Sequence, residues 1–565
     1  MKRSFILSIV CFIALISSSC SKKFEQYPED RNFESDIFDP GDKKGTGAKQ
    51  FLFDIYASLP GGFNRIDGDY LDAATDDAVS SSFASNIVLF TNGQLTAANY
   101  PDNNWKNCYS IIRKSNFFLK HIGVVPIPDS VKNDQMAEAR FLRAFAYFEL
   151  LKRYGGVPLV GDTVFSLSDN LSLPRNTFAE CVDYIASECD AAAEGLPNGA
   201  KIASSDFGRV PSEAALALKC RLLLYAASPL YNGGGFEVNP GLKILTGYPD
   251  ADPARWQKVI TAAEALTRAS YYKLPSGTGN TAYSAVFTTK INTDIILSKQ
   301  SSASTSIEVS NAPVGFVAPA ASNGRTSPTQ NFVNAFPNQD GSPYTGSSTD
   351  MNQYNGRDPR IKSILFYNGV KWLGRNIETF EGGLDKPNLP FKTQTRTSYY
   401  LRKFMGDFTN STSYSNQSHN FPYFRFAEVL LNYAEALNEI GRTEDAVAPL
   451  KLIRARAGIT AGSNGRYGIP AGISQAGLRD LIRNERRIEL SFEEHRFWDV
   501  RRWKIAGAVL NTTLKGLKIV NSSGSLTAEE QTVSNLTFQN KYYHMPVPYS
   551  EMIRNPKLIQ NEGYN

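Results

Sequence analysis

The sequence predicts a mostly α-helical protein in which pairs of helices form an arc and a loop-rich lobe with short strands rests on them. Segments with apolar residues at helical spacing follow one another in pairs. In the segment 136–154, for example, three phenylalanines recur at i, i+4 and i+7. From about residue 271 to residue 420 this spacing gives way to Ser, Asn, Gly, Pro and Thr, with single aromatic residues between them.

Residues 1–19 are predicted to be a signal peptide. A positively charged start is followed by an apolar stretch from Phe5 to Ile16, which is too short to span a bilayer. Three serines then lead to Cys20, an arrangement that resembles the cleavage box of bacterial lipoproteins, although Ser17 stands where that box carries leucine. The resemblance implies that Cys20 is lipidated and that residues 20–40 form a tether. Ordinary cleavage, with Cys20 as an incidental thiol, is the alternative.

Residues 41–565 are predicted to form a single body, with a helical scaffold at 41–270 and 421–565 and a ligand lobe at 271–420. The net charge is +5 over 565 residues and no block of five like charges occurs, so we expect no nucleic-acid partner. No segment after the signal is apolar for long enough to span a membrane as a helix.

The body contains four cysteines and no Cys-x-x-Cys pair, which argues against a zinc ribbon or a redox motif. Cys181 and Cys189 fall on one helical stripe about two turns apart, which is beyond disulfide reach. We expect them to be buried as small hydrophobic residues.

Start and stop signals predict further helices of the scaffold. Thr177, followed three residues later by Glu180, predicts an N-cap with a capping box, and the helix should run to about Glu194. Pro211 precedes the next helix, whose partner is predicted at 253–270. The helices predicted from residue 211 and at 253–270 form a pair, as do those predicted at 136–154 and 177–194.

The segments 426–440 and 444–457 resemble a tetratricopeptide helix pair, because small residues let antiparallel helices approach and Gly441 permits a tight turn. Pro449 conflicts with an early start of the second helix, since a proline inside a helix costs about 3 kcal/mol. We therefore expect that helix to begin late. One more helix is predicted at 474–494.

Long blocks follow one another in a set order. They are EARFLRAFAYFELLKRYGGVPLV (138–160), GRVPSEAALALKCRLLLYAASPLY (208–231), RFAEVLLNYAEALNEIGR (425–442), ERRIELSFEEHRFWDVRRW (485–503) and MPVPYSEMIRNPKLIQNEGYN (545–565). In sequence and in order these blocks resemble the SusD/RagB lipoproteins of Bacteroidetes outer membranes. The resemblance extends from the tether to the last residue.

One departure from the family pattern is visible. The family commonly has Phe-Glu-Gly-x-Arg where this chain has Phe492, two glutamates, His495 and Arg496. We expect the change to alter a local turn and not the fold. The charged residues of this region are predicted to form a structural ion network; they are Arg486, Arg487, Glu489, Glu493, Arg496 and Asp499.

The resemblance implies a cell-surface glycan-binding lipoprotein that captures oligosaccharides and passes them to a SusC-like TonB-dependent porin. It implies a protein that is not an enzyme, is anchored in the outer membrane through its lipid and needs no cofactor. The helical arc would face the transporter. The ligand surface would lie in the loops and in the segment before Trp105, which we expect to be buried.

Sugars present apolar ring faces and polar edges, so a surface that binds them needs flat aromatic rings surrounded by amides, carboxylates or arginines. The candidates in two regions fit this description, although packing beneath a loop is the alternative for each aromatic ring. They are Asn99, Tyr100 and Asn103 before Trp105, and Tyr283, Tyr344 and Trp372 in the lobe.

Motifs of other chemistries are missing or incomplete. The four histidines have no metal-ligand spacing, no Gly-x-Ser-x-Gly elbow occurs, and the glycine pairs at Gly45 and Gly277 do not complete a nucleotide-binding motif. We therefore predict neither catalytic residues nor a metal. An acidic run is more simply explained by capping and solvation than by calcium, because Leu71 and Ala73 break the EF-hand pattern; it comprises Asp67, Asp69, Asp72, Asp76 and Asp77.

Two alternatives remain open at this point. The same scaffold could capture peptides, and a glycan-active hydrolase could draw its two carboxylates from any of the 55 acidic residues.

Overall fold

The computed structural model describes residues 34–564 except 167, 269–270, 317–322, 390–391, 407 and 409–413. The predicted signal peptide, Cys20 and most of the predicted tether lie outside the described residues. Among the described residues, no helix combines the length and apolar character that crossing a membrane requires.

Helices form the larger part of the described secondary structure. They are α1 (Glu34–Ile37), α2 (Thr46–Ala57), α3 (Trp105–His121), α4 (Asp129–Tyr154), α5 (Phe178–Gly195), α6 (Ser212–Ala227), α7 (Pro240–Thr246), α8 (Ala254–Arg268), α9 (Gly279–Thr288), α10 (Ser306–Asn311), α11 (Gln330–Val333), α12 (Ile361–Ile364), α13 (Phe426–Glu439), α14 (Thr443–Ala457), α15 (Gln475–Glu489), α16 (His495–Arg502), α17 (Ala506–Val509) and α18 (Tyr549–Arg554).

The strands are short apart from one hairpin. They are β1 (Ala78–Ser80), β2 (Ile295–Lys299), β3 (Thr326–Pro328), β4 (Leu365–Phe366), β5 (Lys371–Trp372), β6 (Arg375–Asn376), β7 (Tyr400–Leu401), β8 (Phe421–Arg425), β9 (Thr513–Ser522) and β10 (Ser525–Asn535). They pair antiparallel in twos, as β1 with β3, β2 with β8, β4 with β7, β5 with β6 and β9 with β10.

The longer helices stack in one continuous row, α3, α4, α5, α6, α8, α13 and α14, with α15 against α13. This row is the predicted arc. The capping box that starts α5 is present, because the Glu180 amide donates to Thr177 Oγ1 (3.2 Å) and the Thr177 amide donates to Glu180 Oε2 (2.8 Å). The cysteines at 108, 181, 189 and 220 are buried and free, as expected.

The tetratricopeptide-like pair is present, but its second helix does not begin late. Gly441 makes the turn with φ +83°, and α14 starts at Thr443 with Pro449 inside it. Pro449 is buried, whereas Asp445, whose carbonyl loses its helical donor, is exposed. Water can satisfy that carbonyl, which is why the proline is tolerated.

The helix predicted at 474–494 is interrupted. It ends at Glu489, because the Glu489 carbonyl accepts hydrogen bonds from Arg425 Nη2 (2.6 Å) and the Tyr283 hydroxyl (2.8 Å). Phe492 and Glu494 then take left-handed conformations with φ +59° and +67°, and α16 follows. Glu494 thus occupies the position of the glycine in the family pattern Phe-Glu-Gly-x-Arg. Its left-handed conformation is one that glycine adopts readily.

The predicted ion network forms around this interruption. The buried Glu489 carboxylate accepts from Arg360 Nη1 (2.8 Å), Arg425 Nη1 (2.7 Å) and Arg456. Burial alone would raise the pKa of Glu489, but the three guanidinium groups hold it well below its ordinary value. Lys403 Nζ and Arg425 Nε both contact Glu493 at 2.7 Å.

The region between α8 and β8 contains only short helices and strands, and its aromatic residues are mostly internal. Tyr283, Phe332, Phe336, Tyr399 and Tyr400 are fully buried. A loop-rich region with this many enclosed rings is a packed part of the body, as predicted from its composition.

Candidate ligand-binding surface

The predicted aromatic candidates lie mostly in the core. Tyr100, Tyr283 and Trp372 are 7%, 0% and 4% exposed. The Tyr283 hydroxyl donates to the Glu489 carbonyl, and the Trp372 ring is 4.8 Å from the Phe316 ring. These three rings therefore pack inside the protein, which was the alternative to ligand binding, and none presents a face to solvent.

The two predicted asparagines are exposed, but their side chains stabilise their own segment. Asn99 Oδ1 accepts from the Thr96 amide (2.7 Å), and Asn99 Nδ2 donates to the Gln94 carbonyl (3.0 Å). Asn103 Oδ1 accepts from the Trp105 amide (3.3 Å) at the start of α3. Trp105 itself is buried, as predicted. Tyr344 is partly buried, with one ring face 3.6 Å from the Arg357 guanidinium.

Phe83, which is not among the predicted candidates, is the most exposed aromatic ring of the described residues. Its side chain is 81% exposed, in contrast to the buried strand β1 that precedes it by three residues. The sequence signal was present, because Phe83 is a single large apolar residue within the run Ser80–Ser85, whose other members are serine and alanine. A bulky ring in such a run has few local neighbours to cover it.

Arg396 lies against one face of this ring. Its guanidinium carbon is 4.5 Å from the ring centroid, within the range of a cation–π contact. Arg396 Nη1 donates to the Ser80 carbonyl (3.1 Å) and Nη2 donates to the Val533 carbonyl. The guanidinium thus joins the end of strand β1, just before the Phe83 loop (residues 81–86), to strand β10.

The contact with Val533 depends on an irregularity in the long hairpin. The register of β9 and β10 shifts between Thr532 and Ser534, which leaves Val533 without a cross-strand partner. Such a bulge redirects backbone groups, and here the Val533 carbonyl accepts from Arg396. Burial lowers the pKa of Arg396 below its ordinary value, although a guanidinium remains charged at neutral pH.

Phe83 and Arg396 form one side of an open depression of about 350 Å³, which we call the Phe83 surface. Its lining combines the ring with amides, hydroxyls and charges. The lining residues are Ser81, Phe83, Glu381, Lys386, Lys392, Gln394, Thr395, Arg396, Gln531, Thr532 and Val533.

Polar side chains of this surface are held in place by their neighbours. Lys386 Nζ is 2.6 Å from Glu381 Oε1, and Asn388 Nδ2 donates to Glu381 Oε2 (2.6 Å). Burial alone would raise the pKa of Glu381, but these contacts hold it below its ordinary value. Gln394 and Asn388 exchange two hydrogen bonds, at 3.0 and 2.9 Å. The rim is therefore pre-organised.

The loop with Tyr344 contacts the same hairpin. Ser348 Oγ donates to Glu530 Oε1 (2.5 Å), and Glu530 precedes Val533 by three residues on β10. Three residues of a strand span about 10 Å. The Tyr344 loop thus meets β10 a short distance from the Phe83 surface.

The acidic run at 67–77 is mostly buried rather than solvated. Within the described ranges, no group of three or more metal-ligating side chains converges. Only Asp67 is exposed, so the expectation of capping and solvation is wrong for the other four. Arg487 pairs with Asp76 (2.8 Å) and Asp77 (2.6 Å), and Asp72 accepts from the Phe492 amide (2.9 Å).

A row of helix pairs that carries an open, pre-organised surface of one ring and several polar side chains defines a ligand-binding scaffold. Comparison with known proteins identifies the family to which this scaffold belongs. The profile of the SusD family matches residues 293–564, and a profile described as starch-binding and associating with the outer membrane matches residues 50–224. The chain belongs to the SusD/RagB family.

Individual relatives agree with this assignment. A SusD-like protein of Formosa agariphila is 23% identical over 575 residues, which cover 98% of each chain. The crystal structure of a SusD-like protein from Bacteroides fragilis matches with a TM-score of 0.78 and 29% identity, over 92% of this chain and 98% of that one. A laminarin-binding SusD-like protein has the same fold, with a TM-score of 0.63 and 20% identity over 92% of this chain and 99% of its own.

Proposed function

We propose that this protein is a glycan-binding lipoprotein of the outer membrane, which captures oligosaccharides at the Phe83 surface and passes them to a SusC-like TonB-dependent porin. Its family membership, the description of one matching profile as starch-binding and a laminarin-binding relative support a glycan as the ligand. Cys20 would carry the lipid, with the residues after it as a tether.

The observation that carries the proposal is the exposed Phe83 ring with Arg396 behind it. A sugar ring stacks on the free face of an aromatic side chain, and its hydroxyl groups need donors and acceptors at the edge of that ring. Gln394, Gln531 and Lys392 line the same depression and supply such groups. Because Arg396 fixes the covered face, the ring loses little conformational freedom when a ligand binds.

The depression is open, so a long oligosaccharide could lie across it with both ends in solvent. Tyr344, on the loop that contacts β10, is a second ring that a longer oligosaccharide would reach along the hairpin. Asn99 and Asn103 remain proposed contacts for a ligand that extends further, because both are exposed. Tyr100, Tyr283 and Trp372 are left out of the proposed site because their rings are enclosed.

Capture fits this surface better than hydrolysis. A glycosidase needs two carboxyl groups that face each other across the scissile bond. Among the described residues that line the Phe83 surface, Glu381 alone carries a carboxylate, and Lys386 and Asn388 both hold it. We therefore propose binding without turnover.

Native gels that contain soluble starch, laminarin or other polysaccharides test the proposal. We expect at least one glycan to retard the wild-type protein without release of reducing ends, and Phe83→Ala to lose that retardation. Phe53→Ala is the matched control, since Phe53 is a 41%-exposed ring on α2 outside the Phe83 surface.

Other outcomes point elsewhere. Released sugars would favour the hydrolase, retention of peptides alone would favour peptide capture, and equal retardation of Phe83→Ala and the wild type would move the site away from Phe83.

A further inference from the structure

The Phe83 loop is held at both ends by one tight turn, residues 66–69. The amides and carbonyls of Ile66 and Asp69 pair at 2.9 and 3.2 Å, which closes the turn. The Asp67 carboxylate accepts from the Asn86 amide (2.7 Å) at the far end of the loop. The Asp69 carboxylate reaches both the start and the end of the loop.

Asp69 collects three hydroxyl groups. Asp69 Oδ2 accepts from Ser80 Oγ (2.7 Å) and Ser85 Oγ (2.6 Å), and Oδ1 accepts from Thr326 Oγ1 (3.3 Å) on β3. Two of these hydroxyls also accept loop amides, since the Ser82 amide donates to Ser80 Oγ (3.1 Å) and the Ile87 amide to Ser85 Oγ (3.5 Å). Phe83 lies between these serines.

We propose that Asp69 is a positioning residue for ligand binding, whose ionised carboxylate holds the Phe83 loop in the conformation that presents the ring. This inference rests on the proposed function of the Phe83 surface. Asp69 touches neither the ring nor the depression, so its influence passes through Ser80 and Ser85.

The charge on Asp69 matters because of how Oδ2 is used. One carboxylate oxygen accepts two hydroxyl protons, and a carboxyl group that carries its own proton has less capacity to accept both. Asp69 is 0% exposed, and burial is the largest influence on its pKa. The hydrogen bonds and Arg325 lower this pKa, but burial outweighs them and raises it to about 6. Ligand affinity should therefore fall as the pH is lowered through about 6.

The charged groups around Asp69 are few. Arg325 Nε, in the segment that leads into β3, lies 3.6 Å from Asp69 Oδ2. Asp67 on the same turn contacts Asn86, and Asp72 contacts the Phe492 amide. Arg325 is thus the single ion-pair partner of Asp69 among the described residues, and it favours the ionised form.

Hydrogen–deuterium exchange of the full mature chain, corrected for intrinsic rates, tests the loop directly. We expect peptides that cover 80–87 to lose protection between pH 7.5 and pH 5 in the wild type. Asp69→Asn should be unprotected at both values. Asp67→Asn is the matched control on the same turn and should keep the pH response, because the asparagine oxygen can still accept from the Asn86 amide. Constant protection in the wild type, or a wild-type response in Asp69→Asn, would overturn the proposal.

Affinity for soluble starch and laminarin supplies the second readout. Where the wild type binds at pH 7.5, we expect about fivefold weaker binding at pH 5, the effect of losing one buried hydrogen bond. Asp69→Asn should bind at the weaker level at both values. Ser85→Ala is a gentler variant in case Asp69→Asn does not fold, and it should also flatten the profile.

The two proposals fail in different ways. A wild-type protein that binds no glycan at either pH, but whose loop opens on acidification, would contradict the proposed function and leave the exchange result intact. Glycan binding that does not change with pH would contradict the role of Asp69 alone.

Discussion

Two regions of the molecule use arginine in opposite ways. Around α15 and α16, Arg360, Arg425 and Arg456 are buried and converge on Glu489, where they join distant segments inside the body. At the Phe83 surface, Arg396 reaches the outside and supports a ring that solvent surrounds. The first region shows how buried charges hold a scaffold together, and the second shows an arginine that supports an exposed ring.

Removing the centre of the buried network should have the largest effect. Glu489→Ala leaves three buried guanidinium groups without their shared carboxylate, and loss of one partner of a buried ion pair costs about 3–5 kcal/mol. We expect a large drop in the free energy of unfolding, measured with urea. Glu444→Ala removes an exposed carboxylate that pairs with Arg466 and should leave the unfolding midpoint unchanged. An equally stable Glu489→Ala would show that the network is dispensable.

Arg396→Ala should affect ligand binding at the Phe83 surface without affecting the fold of the scaffold. The change removes the contact behind Phe83 and the bonds to Ser80 and Val533, so we expect glycan affinity to fall about fivefold to tenfold, which corresponds to about 1.0–1.4 kcal/mol. The far-ultraviolet circular dichroism spectrum should be unchanged. Arg402→Ala, which removes an arginine at 5.4 Å from the buried Phe366 ring, is the control and should bind normally. Unchanged affinity of Arg396→Ala would refute the role of the guanidinium.

The pH dependence of stability should show a smaller effect at the boundary between the two regions. Burial raises the pKa of Asp72 to about 8. A carboxyl with a raised pKa in the folded state stabilises the fold fully below its unfolded pKa, and this contribution is lost as the pH rises through about 8. Asp72→Asn should reduce this loss and increase the free energy of unfolding at pH 7.5 by about 1 kcal/mol, because the amide is neutral in both states and needs no proton uptake on folding.

Chemical unfolding between pH 5 and pH 8.5 measures this effect. The exposed Asp54 on α2 provides the control, and Asp54→Asn should follow the wild-type profile. A wild-type stability that does not change between pH 6 and pH 8 would contradict the assignment of Asp72.

The sequence could predict the scaffold because its helices repeat a local pattern. The capping box at Thr177 and the turn at Gly441 are decided by residues within a few positions of each other. The end of α15 could not be predicted in this way, because Tyr283 and Arg425, which bind the Glu489 carbonyl, are distant in sequence. The effect of Pro449 could not be predicted from sequence because its cost depends on whether water reaches the Asp445 carbonyl.

The site was harder to predict because exposure is a property of the whole fold. Tyr283 and Trp372 have the sequence surroundings of loop residues, yet both are buried against segments that are distant in sequence, at Glu489 and Phe316 respectively. Phe83 follows a buried strand but points away from the body, and its partner Arg396 lies more than three hundred positions along the chain. Composition predicts that rings are available, but only tertiary contacts decide which ring a ligand reaches.

The bulge at Val533 has a consequence for how this protein acquires activity. The Arg396 clamp connects a loop near the beginning of the chain, a segment from its middle and a strand near its end. Such a clamp exists only after all three have assembled, so a partly folded molecule has no ring platform to offer. A ligand held at this ring would therefore bind only fully folded molecules and, by mass action, would add its binding free energy to the stability of the entire chain.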